Sequence, residues 1–176
     1  MRIISGYLKG RTFSPPERDG VRPTTDMAKE GLFNILVHRF ELEDAVVFDL
    51  FSGTGSIGFE FVSRGAKQVF CVEKDAVMAT FIKSVAAKMQ MENLTVLRSD
   101  AFKFLVLTTL QADIIFADPP YQNIGVSDIP ELVFGKNILN QDGLLIVEHD
   151  QTQHFSGHPR FKELRKYGKV HFSLFQ

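Results

Sequence analysis

The sequence predicts an α/β protein built on a mostly parallel sheet. Apolar segments alternate with segments of helical spacing along most of the chain. Residues 46–48 and 114–116 are continuously apolar, which is typical of strands covered on both faces. The last two apolar segments flank Gly168 with no room for a helix between them, so we expect an antiparallel pair at the sheet edge.

Each predicted element has a local reason. Residues 2–5 and 11–13, separated by a stretch bounded by Gly6 and Gly10, predict a short hairpin, and the prolines and glycine after it predict a linker. We therefore expect an N-terminal extension over residues 1–24 and one domain over residues 25–176. Thr25 or Asp26 can cap the first helix of that domain. The other predicted elements are strands at 45–50, 68–73, 94–98, 112–117, 144–149, 161–167 and 170–175, and helices near 57–63, 76–90, 101–108 and 129–135.

Composition excludes several classes of protein. The chain has 176 residues, of which 44% are hydrophobic and 23% charged, so it can bury a core of its own. It has no apolar run of the roughly 18–20 residues that a membrane-spanning helix needs, and it begins without a secretory signal, so we expect a cytoplasmic protein. A single cysteine and scattered histidines predict no disulfide and no metal site. Basic residues outnumber acidic ones at both ends of the chain, and these segments either contact a polyanion or are simply solvated.

A glycine-rich loop follows the first strand of the predicted domain. Gly53, Gly55 and Gly58 match the pattern GxGxxG between a strand and a helix, and Glu73 ends the next strand at the spacing expected of a ribose ligand. Glycines let a ligand approach the backbone, and the start of the following helix offers free N–H groups. The pattern predicts a nucleoside cofactor, and a turn that serves packing alone is the alternative.

The identity of that nucleoside follows from Asp49, four residues before the first glycine. A carboxylate there would repel a pyrophosphate and would favour the sulfonium and ammonium groups of S-adenosylmethionine. Asp100 ends the third strand, where it can accept a hydrogen bond from an adenine amine, cap the helix that follows, or do both.

The tetrapeptide Asp118-Pro119-Pro120-Tyr121 ends the fourth strand, at the sheet edge where open α/β sheets bind ligands. Two prolines stiffen the turn and leave carbonyl oxygens free to accept hydrogen bonds. With the carboxylate and the tyrosine ring, they predict a pocket for a planar base that carries an amino group. A plain surface turn is the alternative.

Cationic residues of the N-terminal hairpin and linker, with one hydroxyl, can contact phosphates beside this pocket: Arg2, Lys9, Arg11, Arg22 and Thr24.

The sequence resembles the RsmD family, bacterial enzymes that methylate the exocyclic N2 of the guanine at position 966 in 16S ribosomal RNA. The resemblance spans nearly the whole chain, and its N-terminal part is the part specific to this family. It rests on the stretches 2–6, 9–11, 22–26, 29–34, 49–55, 63–66, 72–74, 118–121 and 148–149. Met27 departs from the family pattern, which usually has a basic residue there, and this removes one RNA contact.

The resemblance implies the fold and the chemistry. It implies a Rossmann-like methyltransferase sheet of order 3-2-1-4-5-7-6, a monomer, and 16S rRNA as partner, within the 30S subunit or an assembly intermediate. Base recognition and catalysis would belong to Asp118, Pro119, Pro120 and Tyr121, with no metal. Cofactor binding would belong to Asp49, Phe51, Gly53, Gly55, Glu73, Lys74, Asp100 and Ala101.

Two other functions fit parts of the pattern. Methylation of an amino group on adenine, cytosine or a protein amide would use the same glycine loop and Asp-Pro-Pro-Tyr motif. A small NAD-binding module would use the glycine loop alone, but the chain has neither a second dinucleotide-binding half nor an evident hydride-transfer site.

Overall fold

The structure is a computed structural model that describes residues 1–16, 26–120 and 125–176. Three of the predicted site residues, Arg22, Thr24 and Tyr121, lie outside the described residues. The described chain forms alternating strands and helices in the predicted order. The helices are α1 (Asp26–Leu36), α2 (Ser56–Ser63), α3 (Ala76–Lys88), α4 (Ala101–Leu107) and α5 (Ile129–Gly135), with short 3-10 turns at Leu42–Asp44 and Val126–Asp128. The strands are β1 (Val46–Leu50), β2 (Gln68–Glu73), β3 (Leu94–Arg98), β4 (Ala112–Ala117), β5 (Leu139–His149), β6 (Phe161–Tyr167) and β7 (Val170–Phe175).

All seven strands belong to one sheet of order β3-β2-β1-β4-β5-β7-β6, which confirms the predicted topology. The first five strands are parallel to their neighbours, whereas β7 is antiparallel to both β5 and β6. From β1 the chain builds the sheet outward through β2 and β3, and it then continues with β4 on the other side of β1. The strand order therefore reverses between β1 and β4, and the carboxyl ends of these two strands flank the point where such sheets bind ligands.

The sheet is covered on both faces, which explains its continuous apolar runs. Helices α1, α2 and α3 pack on one face together with the N-terminal segment, and α4 and α5 pack on the other. Phe48 in β1 and Phe116 in β4 illustrate the two buried faces, since they lie in neighbouring strands and belong to hydrophobic clusters on opposite sides of the sheet. Helices α2, α3, α4 and α5 each return the chain from the carboxyl end of one strand to the amino end of the next, so each of them begins at the edge of the sheet that carries the predicted site.

The N-terminal segment pairs with itself more briefly than the sequence indicates. Arg2 and Thr12 form a single antiparallel bridge, and backbone hydrogen bonds join Ile3 to Arg11 and Gly10. The segment also packs on the domain, because Ile3, Leu8 and Phe13 are buried in the cluster under α2. The ring of Phe13 lies 5.1 Å from that of Phe59 in an edge-to-face contact.

β5 begins five residues before the strand that the sequence indicates. Leu139 already pairs with Ala112, and the register shifts before Ile114. Asp142 has a positive φ of 62°, so the strand bends at a point where the pattern of apolar residues is interrupted. Pairing across this bend depends on the neighbouring strand, and the local sequence does not encode it.

Among the described residues, none of the helices combines the length and the apolar character needed to cross a membrane.

Candidate cofactor and substrate site

The carboxyl ends of β1 and β4 bring two predicted site residues together. Asp49 pairs in register with Phe116, and Asp118 follows two residues later on the same face of the sheet. The backbone N–H of Asp118 donates to the carbonyl of Leu50, which fixes the turn of β4 beside the end of β1. Two carboxyl groups thus meet at the switch point of the sheet.

Asp49 is buried, with 2% of its surface exposed. Its Oδ2 accepts a hydrogen bond of 3.0 Å from the backbone N–H of Gly58 and lies 3.8 Å from the sulfur of Cys71. Burial raises the pKa of Asp49 to about 7, and the nearby charge of Asp118 adds to the rise, while the Gly58 N–H opposes it. Burial also raises the pKa of Asp118. Ionisation of both Asp49 and Asp118 is therefore unfavourable unless a cation is bound beside them.

Asp118, Pro119 and Pro120 leave the sheet as a rigid turn. Asp118 is half-buried, Pro119 is buried and Pro120 is exposed. Neither proline has an N–H group, so this turn offers acceptors only. A small recess beside Pro119 is lined by Val126 and by Glu148 and His149 at the end of β5. The geometry of these described residues suits a ligand that presents N–H groups.

The glycine loop is held in place by Glu73. One carboxylate oxygen of Glu73 accepts a hydrogen bond of 2.7 Å from the N–H of Gly53, and the other accepts one of 2.6 Å from Asp75. Each oxygen keeps a second lone pair, so the carboxylate can still accept from a ribose diol. Gly55 has a φ of 76°, and a Cβ there would lie 2.9 Å from the ring of Phe59. The loop therefore needs glycine at this position for both conformation and packing.

Phe51 also adopts a positive φ, of 59°, which is rare for an aromatic residue. It directly follows β1, where the chain turns into the glycine loop, and its ring contacts that of Phe102 at 5.7 Å. The strained conformation lies at the predicted cofactor position, as backbone strain often does at binding sites.

Asp100 caps α4, as one of its two predicted roles requires. Its Oδ1 accepts hydrogen bonds of 3.1 and 3.2 Å from the N–H groups of Phe102 and Lys103. Its Oδ2 lies 3.4 Å from the ammonium group of Lys74. Burial alone would raise the pKa of Asp100, but these hydrogen bonds and the lysine outweigh it and lower the pKa. The carboxylate stays ionised beside buried Ala101, and its contact with adenine remains a prediction.

These residues fit the predicted methyl donor. The buried carboxyl of Asp49 and the adjacent Asp118 favour a cationic group, and the open side of Gly53, where a Cβ would meet only one atom 3.8 Å away, leaves room for a ligand. Glu73 ends β2, and Asp100 follows the end of β3 by two residues, along the same edge of the sheet. A pyrophosphate would meet Asp49 instead of free N–H groups, which disfavours the dinucleotide alternative.

The N-terminal cations do not lie at one place. Helix α2 runs from the site edge of the sheet to the opposite edge. The carbonyl of Arg2 accepts a hydrogen bond from Lys29, which also donates to Ser56 in the first turn of α2. The backbone N–H of Tyr7, close to Lys9, donates instead to the carbonyl of Ser63 at the last turn. The helix has eight residues, so these positions differ by about 10 Å along it. Arg2 lies nearer the site than Lys9 does, and it forms an exposed ion pair with Asp26.

A buried ion pair behind the site escaped the sequence analysis. Lys29 and Glu60 are 1% and 0% exposed, with 3.4 Å between their charged atoms. Lys29 also donates to the carbonyl of Arg2 at 2.7 Å, and Glu60 accepts from the backbone N–H groups of Ile4 and Ser5 at 2.8 and 2.9 Å. The pair therefore fastens the N-terminal segment to α1 and α2.

A signal for this pair is present in the sequence. Glu60 is the only charged residue of α2, and Lys29 lies on the apolar stripe of α1, four residues before Phe33. A charge on an otherwise apolar helical face indicates a buried partner, although it does not identify that partner.

Comparison with known proteins gives a consistent picture. The family model described as conserved hypothetical protein 95 matches residues 1–176. A ribosomal RNA small subunit methyltransferase D of Buchnera aphidicola subsp. Baizongia pistaciae is 30% identical, over 99% of this chain and 91% of that protein. The protein of the same name from Escherichia coli strain K12 is 34% identical, over 85% and 75% of the two chains. A solved structure from Escherichia coli, provisionally described as methyltransferase yhhF, superimposes with a TM-score of 0.87 at 30% identity, over 100% of this chain and 97% of that one.

Proposed function

This chain belongs to the family described as conserved hypothetical protein 95, and we propose that it transfers a methyl group from S-adenosylmethionine to the exocyclic N2 of a guanine in 16S ribosomal RNA. The observation that carries the proposal is the meeting of Asp49 and Asp118 at the ends of β1 and β4. One carboxyl faces the cofactor loop and the other begins the acceptor turn, so a donor and a base can be held on either side of one edge.

On the cofactor side, acids at three neighbouring strand ends bind different parts of the ligand. Asp49 attracts the positive charge, Glu73 accepts from the ribose hydroxyls, and Asp100 accepts from the adenine amine. The glycine loop brings its backbone close to the ligand, with Phe51, Lys74 and Ala101 lining the adjacent wall. When bound, S-adenosylmethionine supplies an activated methyl group whose transfer needs no metal.

On the substrate side, Asp118 and the carbonyl of Pro119 accept hydrogen bonds from the two hydrogens of the amino group. An amino group on a ring is a poor nucleophile because its lone pair is conjugated with the ring. Two acceptors favour the pyramidal form, in which that lone pair is available. With S-adenosylmethionine bound, a bond would form between nitrogen and the methyl carbon as the carbon–sulfur bond breaks, and S-adenosylhomocysteine would leave. Asp118 would balance the charge that develops on nitrogen until one proton passes to solvent.

Support for an RNA substrate comes from the relatives and from charge. Relatives covering most of the chain carry the name small subunit rRNA methyltransferase D. The predicted phosphate contacts are Arg2, Lys9, Arg11, Arg22 and Thr24, of which Arg2, Lys9 and Arg11 lie within the described residues and are at least partly exposed. A guanine inside a stacked helix cannot reach the turn, so the base must be unstacked and presented to Asp118 and Tyr121.

A methyl-transfer assay tests the proposal against its rivals. Tritium from labelled S-adenosylmethionine is followed into undermodified 30S subunits, free 16S rRNA and naked DNA, and the modified nucleoside is mapped. We expect N2-methylguanine at position 966 in the subunit. Incorporation into DNA alone, or into adenine or cytosine, would refute the guanine assignment and favour the other amino-methyltransferase function.

Asp118→Ala tests the catalytic assignment. The variant should bind S-adenosylmethionine but turn over roughly ten- to a hundredfold more slowly, because a charged hydrogen-bond acceptor is lost at the reacting nitrogen. Asp128→Ala, which removes an exposed acid from the next 3-10 turn, is the matched control and should leave turnover unchanged. Normal turnover in Asp118→Ala would contradict the role given to this carboxylate.

A further inference from the structure

We propose that the turn between β6 and β7 is a second phosphate-binding surface, which holds the RNA on the side of the site opposite the glycine loop. The surface consists of Lys166 and Lys169, and we name it the basic edge. The inference rests on the proposed function, since it assigns these lysines to the same RNA.

Strand register places the basic edge at the site. His149, the last residue of β5, pairs with His171, and Lys166 pairs with the same His171 on the other side of β7. β5 ends at the carboxyl edge, beside Asp118, so the turn that joins β6 to β7 lies at that edge too. The antiparallel direction of β7 is the reason: it starts where β5 ends.

The distance across the sheet suits an RNA strand. β4, β5, β7 and β6 are consecutive neighbours, and strands lie about 4.8 Å apart, so β6 lies about 14 Å from the end of β4. A base bound at Asp118 would therefore have flanking phosphates within reach of long lysine side chains on this edge.

The charge of this region is uncompensated. Residues 160–176 contain five Lys and Arg residues and one acid, Glu163. Glu163 already pairs with Arg39 and with Arg165. Lys166 and Lys169 are exposed, and no acidic side chain among the described residues lies within ion-pair distance of either. Two free cations at the rim of a site for a polyanion favour phosphate contact.

Lysines on an edge strand have a simpler role, which is to prevent pairing with another sheet. That role can explain Lys162 and Lys166, which both lie in β6, but not Lys169, which lies beyond the strand in the turn. The position of Lys169 therefore favours a ligand. The two roles differ in outcome, because loss of the first promotes aggregation and loss of the second weakens RNA binding.

The test uses the double variant Lys166→Ala/Lys169→Ala, with methyl transfer to undermodified 30S subunits as the assay. With a salt slope of about 0.7 per phosphate contact, losing two contacts should raise the KM for the subunit roughly 25-fold at about 0.1 M salt and lower the slope by about 1.4. The KM for S-adenosylmethionine, the kcat and the Tm should stay the same. Lys166→Arg/Lys169→Arg keeps both charges and should restore the KM.

Lys83→Ala/Lys88→Ala is the matched control, because both lysines are exposed on α3 at the other end of the sheet. An unchanged KM in the Lys166→Ala/Lys169→Ala variant, or an equal rise in this control, would overturn the inference alone. A wild-type protein that methylates no subunit would overturn the proposed function, and the inference with it.

Discussion

The affinity for S-adenosylmethionine should fall as the pH is lowered, because the cofactor needs the carboxylate form of Asp49. Burial raises the pKa of Asp49 from 3.8 to about 7, a rise that corresponds to roughly 4 kcal/mol against ionisation in the free protein. A bound sulfonium or ammonium favours ionisation and should return the pKa toward its ordinary value. Below about pH 7, binding must therefore release a proton.

The magnitude follows from this shift. Because Asp49 ionises on binding, the Kd should rise about tenfold between about pH 8 and about pH 6. Isothermal titration in two buffers of different ionisation enthalpy measures both the Kd and the number of protons released. S-adenosylhomocysteine has no sulfonium charge and should show a weaker dependence.

The stability of the free protein should depend on pH in the opposite direction to its affinity for the cofactor. A carboxyl whose pKa is higher in the folded than in the unfolded protein stabilises the fold at low pH, and this contribution is lost as the pH rises from about 4 to about 7. The Tm of the free protein should therefore fall over this range while cofactor affinity rises. Asp49→Asn should flatten both profiles. A wild-type Kd that stays constant from about pH 6 to about pH 8 would refute the reasoning.

The remaining predictions concern stability behind the site. Glu60→Ala leaves Lys29 charged and buried without its carboxylate partner, which costs roughly 3–5 kcal/mol and should lower the Tm by about 10 °C. Asp26→Asn breaks an exposed ion pair and should change the Tm by less than about 4 °C. Equal Tm shifts for the two variants in thermal unfolding would contradict this prediction. Gly58→Ala places a methyl group 2.4 Å from the sulfur of Cys71 and 3.1 Å from a carboxylate oxygen of Asp49. The variant should therefore lose roughly 1–3 kcal/mol of unfolding free energy and bind S-adenosylmethionine more weakly. An unchanged free energy of unfolding in denaturant and an unchanged Kd would show that the helix can shift to accommodate the methyl group.

The family resemblance is confirmed, since the family model matches the whole chain and relatives cover most of it. The fold is confirmed as well, down to the order of the strands. Both could be predicted because the relevant signals are local. Alternation of apolar segments sets the elements, glycine sets the loop after β1, and two prolines set the turn after β4.

Only part of the site could be predicted from the sequence. Residues at strand ends could be assigned to a common edge, since parallel strands end together, and the capping role of Asp100 follows from its position before a helix. The bend in β5 at Asp142 and the brevity of the N-terminal pairing could not be assigned, because each depends on a neighbour distant in sequence.

The sequence by itself determined the elements, their order and the acids that end the strands, because hydrophobic periodicity and turn residues act over a few positions. Only the tertiary structure decided which charges meet. It placed Asp49 beside Asp118, where burial raises the pKa of both, and it enclosed Lys29 with Glu60. It also placed the turn between β6 and β7 at the edge of the sheet where β5 ends. Burial and Coulomb interactions depend on distance in space, and the register of strands far apart in the chain sets that distance.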